Sequence, residues 1–190
     1  MSEKGRIKVY VLKSGDALLV VGNDAISKAI EIEECGGCLP DGTRPSHMAM
    51  YVNDRGVGKV FEMTWPRLQV TAPADSWLAA RAGTVWLLPL AEALTYGQRY
   101  GLCDWWTNRL GMWYDVPEMI ALGWYATWAW WLKALHLPAS WAIPPVAING
   151  VCSVNCAMAW NAIGLNVGDP LVVTPSSAIT LPCVGVPVKL

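Results

Sequence analysis

Apolar residues along this chain fall into short runs, alternations and helical repeats that mark out most of its elements. Residues 16–21 read DALLVV, an apolar run between Gly15 and Gly22 that predicts a buried strand. Residues 23–34, NDAISKAIEIEE, place apolar side chains at 26, 29 and 30 behind Asn23 or Asp24 as N-cap and predict a short helix. After the loop CGGCLPDGTRP, the segments SHMAMYV (46–52) and KVFEMTW (59–65) flank the turn NDRG (53–56) and predict a hairpin. TVWLLPL (84–90) predicts a further strand, 91–110 an amphipathic helix, and VGVPVKL (184–190) a closing strand. Strands gathered early and helices late predict an α+β fold, not alternating βαβ units.

Length and charge narrow the classes. A chain of 190 residues is long enough for one domain with a sizeable core and short for two, so 1–190 is expected to form a single domain. The net charge of -1 is spread without long runs, which argues against a nucleic-acid partner. Only 15% of residues are charged, 12 are Trp, and the mean hydropathy is +0.31, so either the core is large or apolar surface meets lipid or protein. The most apolar segment, Met119 to Leu132, runs fourteen residues without a charge, short of the roughly 20 needed to span a bilayer. The start, MSEKGRIKVYVLKSGD, lacks an apolar signal region and predicts synthesis in a reducing cytosol. Free thiols are then expected at Cys35, Cys38, Cys103, Cys152, Cys156 and Cys183.

Two segments carry candidate chemistry. A turn centred between Asp54 and Arg55 pairs residues whose numbers sum to about 109, which sets His47 opposite Glu62 on one face of the hairpin. A carboxylate there would fix the ring's tautomer and favour the imidazolium, the base-plus-orienter half of a catalytic triad. A purely structural His–Glu pair is the alternative. In NGVCSVNCAMAWNAIGL (149–165), Gly150 breaks the incoming chain and apolar Val154, Ala157, Met158, Ile163 and Leu165 mark a helix ending near Gly164. Cys152 falls in its first turn, where unsatisfied N–H groups favour a thiolate, and Cys156 is expected to pack beneath it.

Other features read more plainly. CGGC at 35 and 38 has the spacing of metal and redox pairs but lacks a second ligand pair, so no metal is expected. His136 suits a helix C-terminus. Trp124, Trp128 and Trp131 share a helical face that fits either core or an acyl-chain groove or docking face.

Taken in order, several of these segments resemble the permuted papain-like hydrolases of the NlpC type, the YiiX and YaeF group, distantly similar to lecithin:retinol acyltransferases. SGDALLVVGNDAISKAI resembles that group's opening G-D-x-L-L-V-x-G-N and following helix, and PSHMAMYV its S-H-V-x-I-Y-V strand. KVFEMTWPRLQVTAPADSW resembles the strand carrying the third polar residue, GMWYDV resembles G-x-P-Y-D, CSVNCAMAWNAIGL resembles C-S-E-L-V with its helix, and DPLVVTPSSAITLP resembles the closing T-P-S-D-L segment. The resemblance implies a circularly permuted papain-like domain, an antiparallel sheet or small barrel packed on the nucleophile helix, with a Trp-rich helical insertion at about 117–148. It implies Cys152 as nucleophile, His47 as base, Glu62 as orienter and Tyr114 near the oxyanion hole, without a cofactor. Ser153 and the stripe of Trp124, Trp128 and Trp131 are then expected to bind substrate. Val154 and Asn155 depart from the group's Glu and Leu.

The function implied is a cysteine hydrolase acting on an amide or peptide bond, with peptides of the peptidoglycan cell wall as first substrate class. Two alternatives stay open: ester or lipid chemistry by an acyltransferase or deacylase, and a structural or assembly subunit, for example of a phage particle. Lipid or a partner protein would meet the Trp-rich helix, and a phage particle or holin would carry the chain to a wall.

Overall fold

In the computed structural model, residues 10–23, 37–64, 66–113, 131, 135–136 and 152–190 are described. The strands β1 (Ala17–Val20), β2 (His47–Asp54), β3 (Val57–Thr64), β4 (Arg67–Thr71), β5 (Val85–Leu88) and β6 (Val188–Lys189) form one antiparallel sheet in the order β4-β3-β2-β1-β5-β6. The sheet is open, with β4 and β6 at its edges, so the alternative of a small closed barrel does not hold. Helices α1 (Ala74–Ala79), α2 (Tyr96–Thr107), α3 (Cys152–Ala162) and α4 (Pro175–Ala178) make the fold α+β.

Both faces of the sheet are covered. On one, Ala17, Leu19, Met48, Met50, Phe61, Met63, Trp86 and Leu88 pack with Leu102 and Trp106 of α2 and Cys156, Ala159 and Trp160 of α3. On the other, Leu18, Ala49, Tyr51, Val60, Val85 and Leu87 pack with Ala74 and Trp77 of α1. This is why β1, at the sheet's centre, is an unbroken apolar run and not an alternation. The closing strand, paired to β5, is shorter than expected: β6 covers two residues, with Val184 making an isolated bridge to Leu90. The helix expected over 91–110 runs only over α2, because the Thr95–Gln98 capping box starts it. The strand β4 and helix α1 have no counterpart among the expected elements. The expected helix over 23–34 lies outside the described residues after Asn23, as does the Trp-rich insertion except at 131 and 135–136.

The β2–β3 hairpin turns at Arg55 and Gly56, with φ of 52° and 87° and Asp54 paired to Val57. Positive φ at both central residues is the type I′ turn, whose twist suits a two-residue hairpin. The centre of the turn therefore sits one residue later than expected. Partner numbers sum to 111, as in Ala49↔Glu62, instead of 109.

Residues 14–16 tie the sheet to α3. Asp16 is buried, and its carboxylate accepts the Lys13 N–H at 2.8 Å and the Leu90 N–H at 3.0 Å, linking the entry to β1 with the exit of β5. Burial raises its pKa against these hydrogen bonds. The Gly15 carbonyl accepts the indole N–H of Trp160 at 2.9 Å, and the Ser14 hydroxyl accepts the Asn53 N–H at 2.8 Å. At the far end of α3, Leu165 N–H reaches the Trp160 carbonyl and Gly164 N–H the Asn161 carbonyl, a Schellman stop with Gly164 at φ 84°. The Asp16→Ala variant strands the Leu90 N–H and should lose about 1–3 kcal/mol of stability. The midpoint of urea unfolding checks this.

Candidate active site

The site forms where β2 and α3 begin. His47 is the first residue of β2 and Cys152 the first of α3. By alternation the ring belongs to the α1 face of the sheet, whereas α3 packs on the other; they meet because each stands at the end of its element. The Cys152 sulfur is near enough to the ring to act on its charge. His47 Nε2 lies 3.2 Å from Glu62 Oε2.

His47 and Glu62 are not directly opposed, as the earlier register required. Glu62 faces Ala49, and His47 reaches it diagonally along the same face. A register shift of two residues preserves which side chains share a face, and a shift of one would have separated them.

Glu62 is the most enclosed member, with 6% of its side chain exposed against 23% for His47. Two residues overlooked in the sequence hold it. Trp77 Nε1–H donates to Oε1 at 2.8 Å, and Arg81 Nη2 lies 3.3 Å from both carboxylate oxygens. Trp77 lies on α1 and Arg81 four residues later. Their sequence signal was this spacing, the i and i+4 relation that places two side chains on one helical face, in ADSWLAARAG.

Charges order the protonation states. Burial pushes the Glu62 pKa up, but hydrogen bonding and attraction from His47, the Trp77 N–H and the Arg81 charge together bring it below the ordinary carboxylate range. For His47, burial disfavours the charged ring. The Cys152 charge and hydrogen bond, followed by those of Glu62, outweigh burial and push the ring pKa up to about 10. Cys156, buried one turn along α3, has its thiol pushed well above its ordinary value by burial and by the Cys152 charge. It is a packing thiol beneath Cys152.

The remaining candidates divide. Ser153 is fully buried and its hydroxyl has no hydrogen-bond partner among the described residues, so it is not open to a substrate. Trp131 is helical and 52% exposed, while Tyr114, Trp124 and Trp128 lie outside the described residues. Cys38, Cys103, Cys152, Cys156 and Cys183 are free thiols, and Cys35 lies outside the described residues. His136 adopts φ 56° in the turn after Trp131 and is exposed. No described helix is long and apolar enough to cross a membrane.

No family model and no curated protein matches the chain. Among solved structures it is similar to the metalloprotein yiiX from Escherichia coli O157:H7, at 19% sequence identity and a TM-score of 0.60, over 93% of this chain and 96% of that one. The likeness extends over nearly the whole of both chains, and the protein has a YiiX-like fold.

Linkage gives the pH behaviour. The lowered Glu62 pKa contributes stability above the ordinary carboxylate value of 4.5 that is lost as pH falls through the lowered value. The raised His47 pKa contributes stability that is whole below 6.5 and disappears as pH rises through about 10. Cys152→Ala removes the larger of the two attractions on the ring. Its titration, followed by NMR of the ring protons, should then fall well below 10, and a midpoint still near 10 would assign the whole effect to Glu62.

Proposed function

We propose that the chain is a cysteine hydrolase built on a circularly permuted papain-like domain of the NlpC type, cleaving an amide or peptide bond. The observation that carries this reading is the convergence of a helix-start thiol, an imidazole near enough for the thiol to act on its charge, and a buried carboxylate hydrogen-bonded to the ring. His47, acting as base, takes the Cys152 thiol proton, and the imidazolium so formed then serves as the acid. The Cys152 thiolate attacks the carbonyl carbon, and the C=O electron pair moves onto oxygen. That oxyanion would be met by the Cys152 backbone N–H, at a helix start where developing negative charge is favoured. The tetrahedral centre collapses, the C–N bond breaks, and His47 passes its proton to the departing amine. Water, deprotonated by the now neutral ring, then hydrolyses the thioester to a carboxylic acid and restores the thiol. Tyr114 is assigned to the oxyanion hole by the resemblance alone.

Cell-wall peptides are the proposed first substrate class, again by resemblance. A second reading, acyl-ester or lipid chemistry, is favoured by the exposed Trp131 and the neighbouring exposed Leu135, which would suit an acyl chain. The similar E. coli protein is described as a metalloprotein. Among the described residues no group of three or more His, Cys, Asp or Glu side chains is placed to hold a metal.

Iodoacetamide at neutral pH should modify Cys152 ahead of the other thiols in the wild type. That preference should disappear in His47→Ala, with Cys152→Ala as the control. On peptidoglycan peptides, His47→Ala should lower kcat/KM by about 10²- to 10⁴-fold without unfolding. Release of acid from acyl esters but not of amine from peptides would transfer the assignment to the second reading. Indiscriminate labelling with no turnover on either substrate would overturn both.

A further inference from the structure

We propose that Arg81, laid over Trp77, is a positioning residue for the His47–Glu62 pair: it shares the Glu62 carboxylate with the ring, fixing where that carboxylate points and how much of its charge the ring feels. The inference rests on the reading of Cys152, His47 and Glu62 as one reactive set.

The contacts around Glu62 are complete. An ionised carboxylate offers about four lone-pair positions. Oε1 receives Trp77 Nε1–H at 2.8 Å and Arg81 Nη2 at 3.3 Å; Oε2 receives His47 Nε2 at 3.2 Å and the same Arg81 nitrogen at 3.3 Å. One guanidinium nitrogen therefore straddles both oxygens, while Trp77 on one oxygen and His47 on the other determine the rotation of the group.

The guanidinium is itself held. Its carbon sits 4.2 Å from the centroid of the Trp77 ring, so one indole both donates to the carboxylate and supports the cation that grips it. The Arg81 backbone is fixed too: its N–H donates to the Leu78 carbonyl at 3.0 Å, and its carbonyl accepts the Thr84 N–H at 3.1 Å and hydroxyl at 2.8 Å. A side chain 31% exposed would otherwise trade this contact for water.

The consequence concerns charge. The ionisable groups facing the ring are Cys152 from α3 and Glu62 from β3, with Arg81 behind Glu62 from the turn after α1; Cys156 stays neutral one turn below. Glu62 alone, a buried anion against the ring, would hold the imidazolium so firmly that it would part with its proton reluctantly. Arg81 offsets part of that anion while keeping it ionised. Removing the guanidinium therefore raises the proton affinity of Glu62 and, so long as Glu62 remains charged, of His47 as well. A residue needed only for packing would destabilise the protein without moving either titration.

With two histidines in the chain, the test is direct. His47 ring protons are titrated by NMR in wild type, Arg81→Met and Arg81→Lys, with exposed His136 as internal reference. Arg81→Met should raise the proton affinity of the His47 ring by roughly three- to tenfold, and Arg81→Lys, which keeps the charge, should stay near the wild type. Should Arg81→Met fail to fold, Arg81→Gln removes the same charge and is expected to give the same upward displacement. A ring titration unmoved or lowered in the folded neutral variant overturns the role. Because the readout is the ring and not turnover, a displaced titration in a protein that cleaves nothing retains Arg81's part and discards the hydrolase, whereas turnover with an unmoved ring does the reverse.

Discussion

A carboxylate with 6% of its side chain exposed stays ionised only when protein donors replace nearly all of its water. Everything distinctive about this molecule's candidate site follows from meeting that demand at Glu62. The donors come from two parts of the fold that the chain brings together over 35 positions: His47 at the start of β2, and Trp77 on α1 with Arg81 just after it. Helix α1 has only six residues and little to stabilise it alone, being shorter than an isolated helix needs. Its indole packs on Ala49, Tyr51 and Val60 of the sheet and donates to Glu62 at the same time, so apolar burial and charge satisfaction draw on one side chain.

The opposite face supplies the other half by ordinary packing. Residues 152–157 of α3 are all buried, which a surface helix with one apolar stripe would not show. The helix is embedded, and its hydrogen bond from Trp160 to the Gly15 carbonyl and its Schellman stop at Gly164 fix its position along its axis. Fixing the tail fixes the head, because a helix of eleven residues is stiff at this length. The position of the Cys152 sulfur relative to the ring is thus set some 15 Å away, at residues 14–16 and 160–165, by a rise of about 1.5 Å per residue.

How much of this the sequence disclosed depends on the distance over which each cause acts. The apolar run at 17–20, the hairpin and the stop of α3 are local: turn chemistry and periodicity over a few residues specify them, and they were legible. The hairpin register was read two residues out because NDRG admits two turn centres, and only the positive φ taken up by Arg55 selects the later one. The pairing of His47 with Glu62 survived that error because parity, not exact register, decides the face. Arg81 and Trp77 were not legible as site residues. Their role depends on α1 folding back over the sheet, a long-range consequence of β4, and β4 itself was hidden in RLQVT, whose alternation is short and whose Val70 is exposed.

That contrast bears on what kind of constraint the site represents. A triad read as three residues needs one thiol, one ring and one carboxyl, and such a trio recurs by chance among half-buried side chains. A triad whose carboxylate is itself fully coordinated needs five residues from four segments to agree, and each removes a way in which the buried charge could be tolerated by relaxing. Native proteins keep such buried polar networks either complete or absent, since a partly satisfied one costs more than apolar packing. The network at Glu62 is complete, and its open end is the imidazole edge that faces Cys152. A structural His–Glu pair would need neither the sulfur at the helix head nor a cation placed to moderate the carboxylate; the proposed acid–base chemistry accounts for both.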